Sequence, residues 1–77
     1  MFVVINQART GIINFNNVSC IAIRKKSIIA YLTGEDGVYI ELGKYSDNRL
    51  QSVFNNIMYN IDTCTTDETK IYKMPKE

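Results

Sequence analysis

Apolar positions in the first half of this chain come in short runs with near two-residue alternation, the spacing of strands. From Leu50 onward they recur at steps of three and four. Leu50, Val53, Phe54, Ile57, Met58 and Ile61 therefore share one face of a helix. A helix with a single apolar face needs a surface to lie on, and the preceding strands supply it. The pattern predicts an α+β fold in one compact domain over 1–77: an antiparallel sheet of about five strands, one amphipathic helix near the C-terminus and a short final strand.

Turn residues set the boundaries. A first strand over 2–6 is followed by a turn at Ala8-Arg9-Thr10-Gly11; 12–15 resumes extended structure, and Asn16-Asn17 predicts a second tight turn. The next strand, Val18–Arg24, points Val18, Cys20 and Ala22 one way and Ser19, Ile21 and Ile23 the other. Both of its faces are largely apolar, which predicts a central strand. Lys25-Lys26-Ser27 reads as a hairpin tip, 28–33 pairs back, and Gly34-Glu35-Asp36-Gly37 is the clearest hairpin signal. In the strand over 38–42, Val38, Ile40 and Leu42 are expected inward, Tyr39 and Glu41 outward, with Gly43 as terminator.

Ser46 is the expected N-cap of a helix over 47–61, its hydroxyl able to accept from a first-turn amide. Asp47 suits the helix dipole, while Arg49 stands where a capping box carries an acid. A polar loop over 62–69 leads to a last strand over 71–74, closed by Pro75, which cannot donate to a ladder.

Composition narrows the function classes. Seventy-seven residues with 45% hydrophobic content describe a globular domain rather than a disordered chain. A net charge of +1 gives no long-range field, which disfavours a dedicated duplex-DNA binder. No apolar run approaches the length of a membrane span, and the N-terminus lacks the basic region of a signal peptide. A cytoplasmic protein without membrane contact is expected. Cys20 and Cys64 are then reduced thiols, Cys20 a buried small hydrophobe and Cys64 a loop thiol, and the glycosylation match at Asn17-Val18-Ser19 has no use.

Catalytic equipment is scarce. Histidine is absent, which removes the usual general base, every Ser-His or Cys-His nucleophile and the commonest zinc ligand. Gly34 and Gly37 lack the lysine and following helix of a phosphate loop. The carboxylates Glu35-Asp36, Asp62 and Asp67-Glu68 fall at predicted turns, where solvated acids are the norm. No enzyme, cofactor or metal is expected.

Binding residues remain. Arg24, Lys25 and Lys26 cluster at one hairpin, with Lys44 and Arg49 near the helix start and Tyr31, Tyr39 and Tyr45 close in sequence. Such a set either solubilises a hairpin tip or grips a phosphate, nucleotide or single-stranded nucleic acid by charge and stacking. Arg49 can equally reach Glu41 or a carbonyl. One helix covers one side of a sheet, so a surface carrying Tyr39, Tyr31, Ile21 and Ile23 is left over. Either sheet curvature buries it, or a protein partner or second copy does.

The segments Ile13-Asn14-Phe15-Asn16-Asn17-Val18, Ile40-Glu41-Leu42-Gly43-Lys44-Tyr45-Ser46 and Ile71-Tyr72-Lys73-Met74-Pro75 carry a resemblance. The chain resembles a group of small proteins from Firmicute chromosomes, prophages and mobile elements. In these, a strand ends in Leu-Gly-x-Tyr before an amphipathic helix, and Tyr-x-Met-Pro closes the chain. The likeness runs nearly the full length. It departs at the helix start, where Asn48-Arg49-Leu50 replaces Glu-Arg-Ala and only Arg49 carries over. It implies a bacterial or phage origin and, by analogy, action by occluding a host (defence) machine rather than by catalysis.

Overall fold

The computed structural model describes residues 1–34 and 36–77. The elements are β1 (Phe2–Ile5), β2 (Ile12–Asn14), β3 (Val18–Arg24), β4 (Ser27–Leu32), β5 (Tyr39–Lys44), α1 (Asp47–Thr63) and β6 (Lys70–Lys73). The fold is α+β, with one helix near the C-terminus and a strand after it. The strands do not form one sheet. They form two of three strands each, in the orders β2-β1-β6 and β3-β4-β5.

Asn14 explains the split. Its side-chain oxygen accepts from the Asn16 amide at 2.9 Å and opens a 3-10 turn over Phe15–Asn17, at the place where a tight turn within one sheet is expected. That turn carries the chain out of the first sheet before β3 begins. Phe15 packs edge-on against Phe2, with centroids 5.2 Å apart. The split also leaves β3, expected at the centre of a sheet, at an edge with β4 as its one strand neighbour.

In the first sheet, β1 pairs antiparallel with β2 and parallel with β6. Asn6 holds the β1–β2 turn by accepting from the amides of Thr10 (2.9 Å) and Gly11 (3.1 Å). The second sheet is an antiparallel meander with a register shift beside Gly43. Gly43 continues β5 instead of ending it. The proposed acidic hairpin residue Glu35 lies outside the described residues; flanking Gly34 and Gly37 have φ of +82° and +72°.

The core lies between α1 and one face of each sheet. Phe2, Val4, Ile28, Ala30, Leu42, Tyr45, Leu50, Val53, Ile57 and Met74 are buried there. Helix α1 contributes Leu50, Val53 and Ile57, with Phe54 and Ile61 partly buried. Met58, expected on the same stripe, is 44% exposed. At 100° per residue it stands ~80° around the helix from Leu50, beyond the contact zone. Val38, expected inward, lies before β5 and is exposed. Ser46 is the N-cap, but its hydroxyl donates to Asn48 Oδ1 (2.9 Å) rather than capping a backbone amide. No helix among the described residues is long and apolar enough to cross a membrane.

Candidate functional site

The register of the meander assigns each side chain to a face. Ile28 and Ala30 point into the core; of their cross-strand partners on β3, Ile21 packs against that core and Ile23 shares its face at the exposed margin. The other face carries three rows: Cys20, Tyr31 and Tyr39; then Ala22, Ile29 and Glu41; then Arg24 and Ser27, with Lys44 alongside. The helix packs on the core side, so among the described residues no helix or second sheet lies over these rows.

This outer face has its own small cluster. Tyr31 and Tyr39 meet edge to face, centroids 5.6 Å apart and planes inclined by 65°. The Arg24 guanidinium carbon stands 5.4 Å from the centroid of Tyr39. Ile29, although outside the main core, is only 2% exposed beneath these neighbours, while Tyr39 remains 42% exposed. An open depression of about 490 Å³ here is lined by Ile29 and Tyr39 together with the cations Arg24, Lys25, Lys26 and Lys44. Glu41 also lines it, and its Oε1 accepts from the Ser27 hydroxyl at 2.8 Å.

The hairpin tip is fixed rather than free. Lys25 takes φ +57°, the left-handed conformation that a two-residue turn demands and that glycine or asparagine usually fills. The Lys26 carbonyl accepts from the Tyr45 amide at 2.9 Å, which ties the tip to the end of β5.

Tyr31, Tyr39, Arg24, Lys25 and Lys26 thus come together as a group. The remaining candidates do not join them. Ile21 packs against the core, and Ile23 shares its face at the sheet margin, 36% exposed. Tyr45 is 4% exposed, and its hydroxyl donates to the Pro75 carbonyl at 2.5 Å. Burial, reinforced by Tyr72 and opposed by Arg9 and Arg49, pushes its hydroxyl up to about 12. Tyr72 is raised as well, through burial and against the pull of Arg49. Arg49 donates through Nε (3.2 Å) and Nη2 (2.8 Å) to the Glu77 carbonyl, the carbonyl alternative among its expected partners.

Tyr45 and Arg49 therefore belong to a structural clamp. Arg9 Nη1 donates to Met74 O (2.8 Å), Tyr45 to Pro75 O, Gln7 Nε2 to Lys76 O (2.9 Å) and Arg49 to Glu77 O. Four consecutive carbonyls of the C-terminal segment are each received by a different side chain. The Leu-Gly-x-Tyr and Tyr-x-Met-Pro segments meet here, with Leu42 and Met74 both fully buried.

Cys20, expected inside, is exposed because its face of β3 is the uncovered one. Ile29 was hidden within an apolar run that gave no sign of a second buried cluster. Ser27 was read as part of the turn; its pairing with Arg24 puts its hydroxyl on the Glu41 side. Among the described residues no group of three or more potential ligands is placed to hold a metal ion. In comparisons with protein-family models, curated proteins and solved structures, nothing matches this chain.

Proposed function

We propose that this chain is a non-enzymatic interaction protein that docks an acidic patch of a protein partner on the outer face of its second sheet. The observation that carries this reading is that Arg24, Lys25, Lys26 and Lys44 line one depression together with the exposed ring of Tyr39, on which Arg24 stacks. Among the described residues the one carboxylate lining that depression, Glu41, is already engaged by Ser27. Aromatic and arginine side chains in a partly desolvated hollow are the usual anchors of protein interfaces, and a cationic rim selects an acidic counterpart. Covering a partner's surface needs no catalytic group. In a prophage or mobile element, such a module would act by occluding a host machine.

A second reading takes a nucleotide or single-stranded nucleic acid as the ligand. The Arg24–Tyr39–Tyr31 stack favours it, because a base can lie on an exposed tyrosine while lysines meet phosphates.

Fluorescence anisotropy separates the two. A labelled twelve-residue peptide rich in Glu, Asp and Leu is titrated alongside a labelled oligothymidylate, with wild type, Tyr39→Ala and the Lys25→Glu/Lys26→Glu pair. Peptide binding that both variants weaken by tenfold or more (about 1.4 kcal/mol) supports the protein-docking reading. Oligothymidylate binding with a steep salt dependence, and no peptide binding, transfers the site to nucleic acid. Binding of neither probe, or binding indifferent to Tyr39→Ala, overturns the assignment of this face.

A further inference from the structure

The free edge of β3 is a second surface, independent of the outer face. Among the described residues, strand β3 has β4 on one side and no strand on the other. Arg24 and Ser27 flank a two-residue turn and therefore form a hydrogen-bonded pair. Alternation along the ladder then turns the N–H and C=O of Ala22 toward β4 and those of Ile21 and Ile23 toward the open side. Among the described residues no backbone group of Ile21 or Ile23 finds a partner outside the ladder. From Cys20 to Ile23 this edge carries no charge and no proline, the usual guards against strand addition. The bulge at Ser19 limits pairing toward the N-terminal end but leaves 20–24 regular.

Beside this edge lies an apolar hollow of about 290 Å³, lined by Phe2, Phe15, Val18, Ile21 and Ile61. Ile23, 36% exposed, faces the same side of the sheet as Ile21. An open edge with an adjacent apolar hollow is the arrangement used for strand addition, where backbone bonds give affinity and a side-chain pocket gives specificity.

We infer that β3 pairs antiparallel with β3 of a second copy of this chain, about a two-fold axis at Ala22, joining the two meanders into one continuous sheet. In this register Ile21 lies opposite Ile23 of the second copy, and Ile23 opposite its Ile21. Each outward-facing N–H and C=O of these residues is then satisfied. Each half-exposed Ile23 comes to rest beside the other copy's Ile21, at the mouth of the apolar hollow. The smallest side chain of the segment, Ala22, stands at the axis, where the strands approach most closely. The two Arg24 side chains fall at opposite ends, ~13 Å apart along the strands, beyond the reach of strong repulsion at physiological salt. Self-complementarity of this kind is what an isologous two-fold contact requires. Both outer faces end up on the same side of the joined sheet.

Disulfide trapping reads the register directly. Ala22→Cys is placed in a Cys20→Ser/Cys64→Ser background, beside a control carrying Ser19→Cys in the same background. Directly opposed residues of a non-hydrogen-bonded pair have Cβ atoms ~4.5–5.5 Å apart, close enough to bridge after small adjustment. Under mild oxidation Ala22→Cys is expected to give a covalent dimer on non-reducing gels, several-fold more abundant than the Ser19→Cys control. Sedimentation equilibrium of the unmodified chain should give twice the chain mass. Ile23→Lys, with unchanged circular dichroism, should give the single-chain mass and abolish the crosslink. A single-chain mass for wild type up to millimolar concentration overturns the inference. So does crosslinking no stronger at Ala22→Cys than at the control. A dimer that survives Ile23→Lys overturns it too, since association would then lie elsewhere.

Discussion

The ring of Tyr45 rests against Gly43 so closely that a β-carbon built on Gly43 would stand 2.7 Å from Cε2 and 2.8 Å from the hydroxyl oxygen. The far end of the ring cannot swing away, because the hydroxyl is held by the Pro75 carbonyl and the residue is buried. Gly43 does not occupy a left-handed conformation, so it is needed for the space it leaves and not for its backbone freedom. Gly43→Ala is expected to lower stability by about 1–3 kcal/mol, the usual cost of overpacking a tight contact. In a Tyr45→Leu background the same substitution should cost much less. Urea unfolding of the four proteins in this cycle measures the coupling.

The same hydroxyl makes stability depend on alkaline pH. Burial raises its folded-state value to about 12, while an unfolded tyrosine keeps the ordinary value near 10. Between those values the unfolded chain gives up a proton that the folded chain retains, so stability falls as pH rises through this window. Below it the contribution is fully present. Tyr45→Phe removes this part of the loss and, at neutral pH, costs about 1 kcal/mol for the orphaned Pro75 carbonyl. Thermal unfolding from pH 8 to 11.5 should therefore show a smaller decline for Tyr45→Phe than for wild type. Equal declines would remove Tyr45 as the titrating group.

How far the sequence foretold the molecule follows from the range of each signal. Helix α1 was legible because its apolar period is local; only Met58 was misplaced, through a stripe drawn one position too wide. Tyr39 and Glu41 were placed outward by two-residue alternation, which the ladder preserves. Ile21 and Ile23 were assigned to the uncovered surface because alternation separates two faces without saying which one meets the helix. The division into two sheets was not legible, since it turns on one Asn14 side chain capturing the Asn16 amide and setting a 3-10 turn at the expected tight turn. Tyr45 looked like a binding residue because the basic Lys44 and Arg49 stand close to it in sequence. It is instead a core residue whose hydroxyl finds its acceptor at Pro75, thirty positions away.

Lys25 offers a test of the hairpin tip beneath the candidate site. Its φ of +57° costs a residue with a side chain roughly 1–2 kcal/mol relative to a relaxed conformation. Glycine adopts this conformation freely but has more freedom to lose on folding. Lys25→Gly is therefore expected to stabilise the protein by up to about 1 kcal/mol, visible as a higher urea midpoint at unchanged slope. The variant also removes one of the four cations lining the depression, so acidic-peptide affinity should fall even as stability rises. Those opposite changes separate a tip shaped by its ligand from one shaped only by folding.

Gln7 joins the two sheets, and its chemistry makes a sharper prediction than its size. Its backbone N–H donates to Leu42 O at 2.8 Å, while its side-chain Oε1 accepts from the Lys44 amide at 2.7 Å. Its Nε2 donates to the carbonyls of Lys44 (3.0 Å) and Lys76 (2.9 Å), so one amide side chain stands in for a missing strand. Gln7→Ala loses three bonds and is expected to cost about 1.5–3 kcal/mol, with faster hydrogen exchange at the Lys44 amide. Gln7→Glu keeps the acceptor but turns a charged oxygen toward two carbonyls. That environment disfavours the charged form and holds the new carboxyl above its unfolded value. Its destabilisation relative to wild type should be largest at pH 7 and shrink toward pH 4, where a protonated carboxyl can donate one bond again. A deficit independent of pH would mean that the Gln7 side chain does not bridge the two sheets.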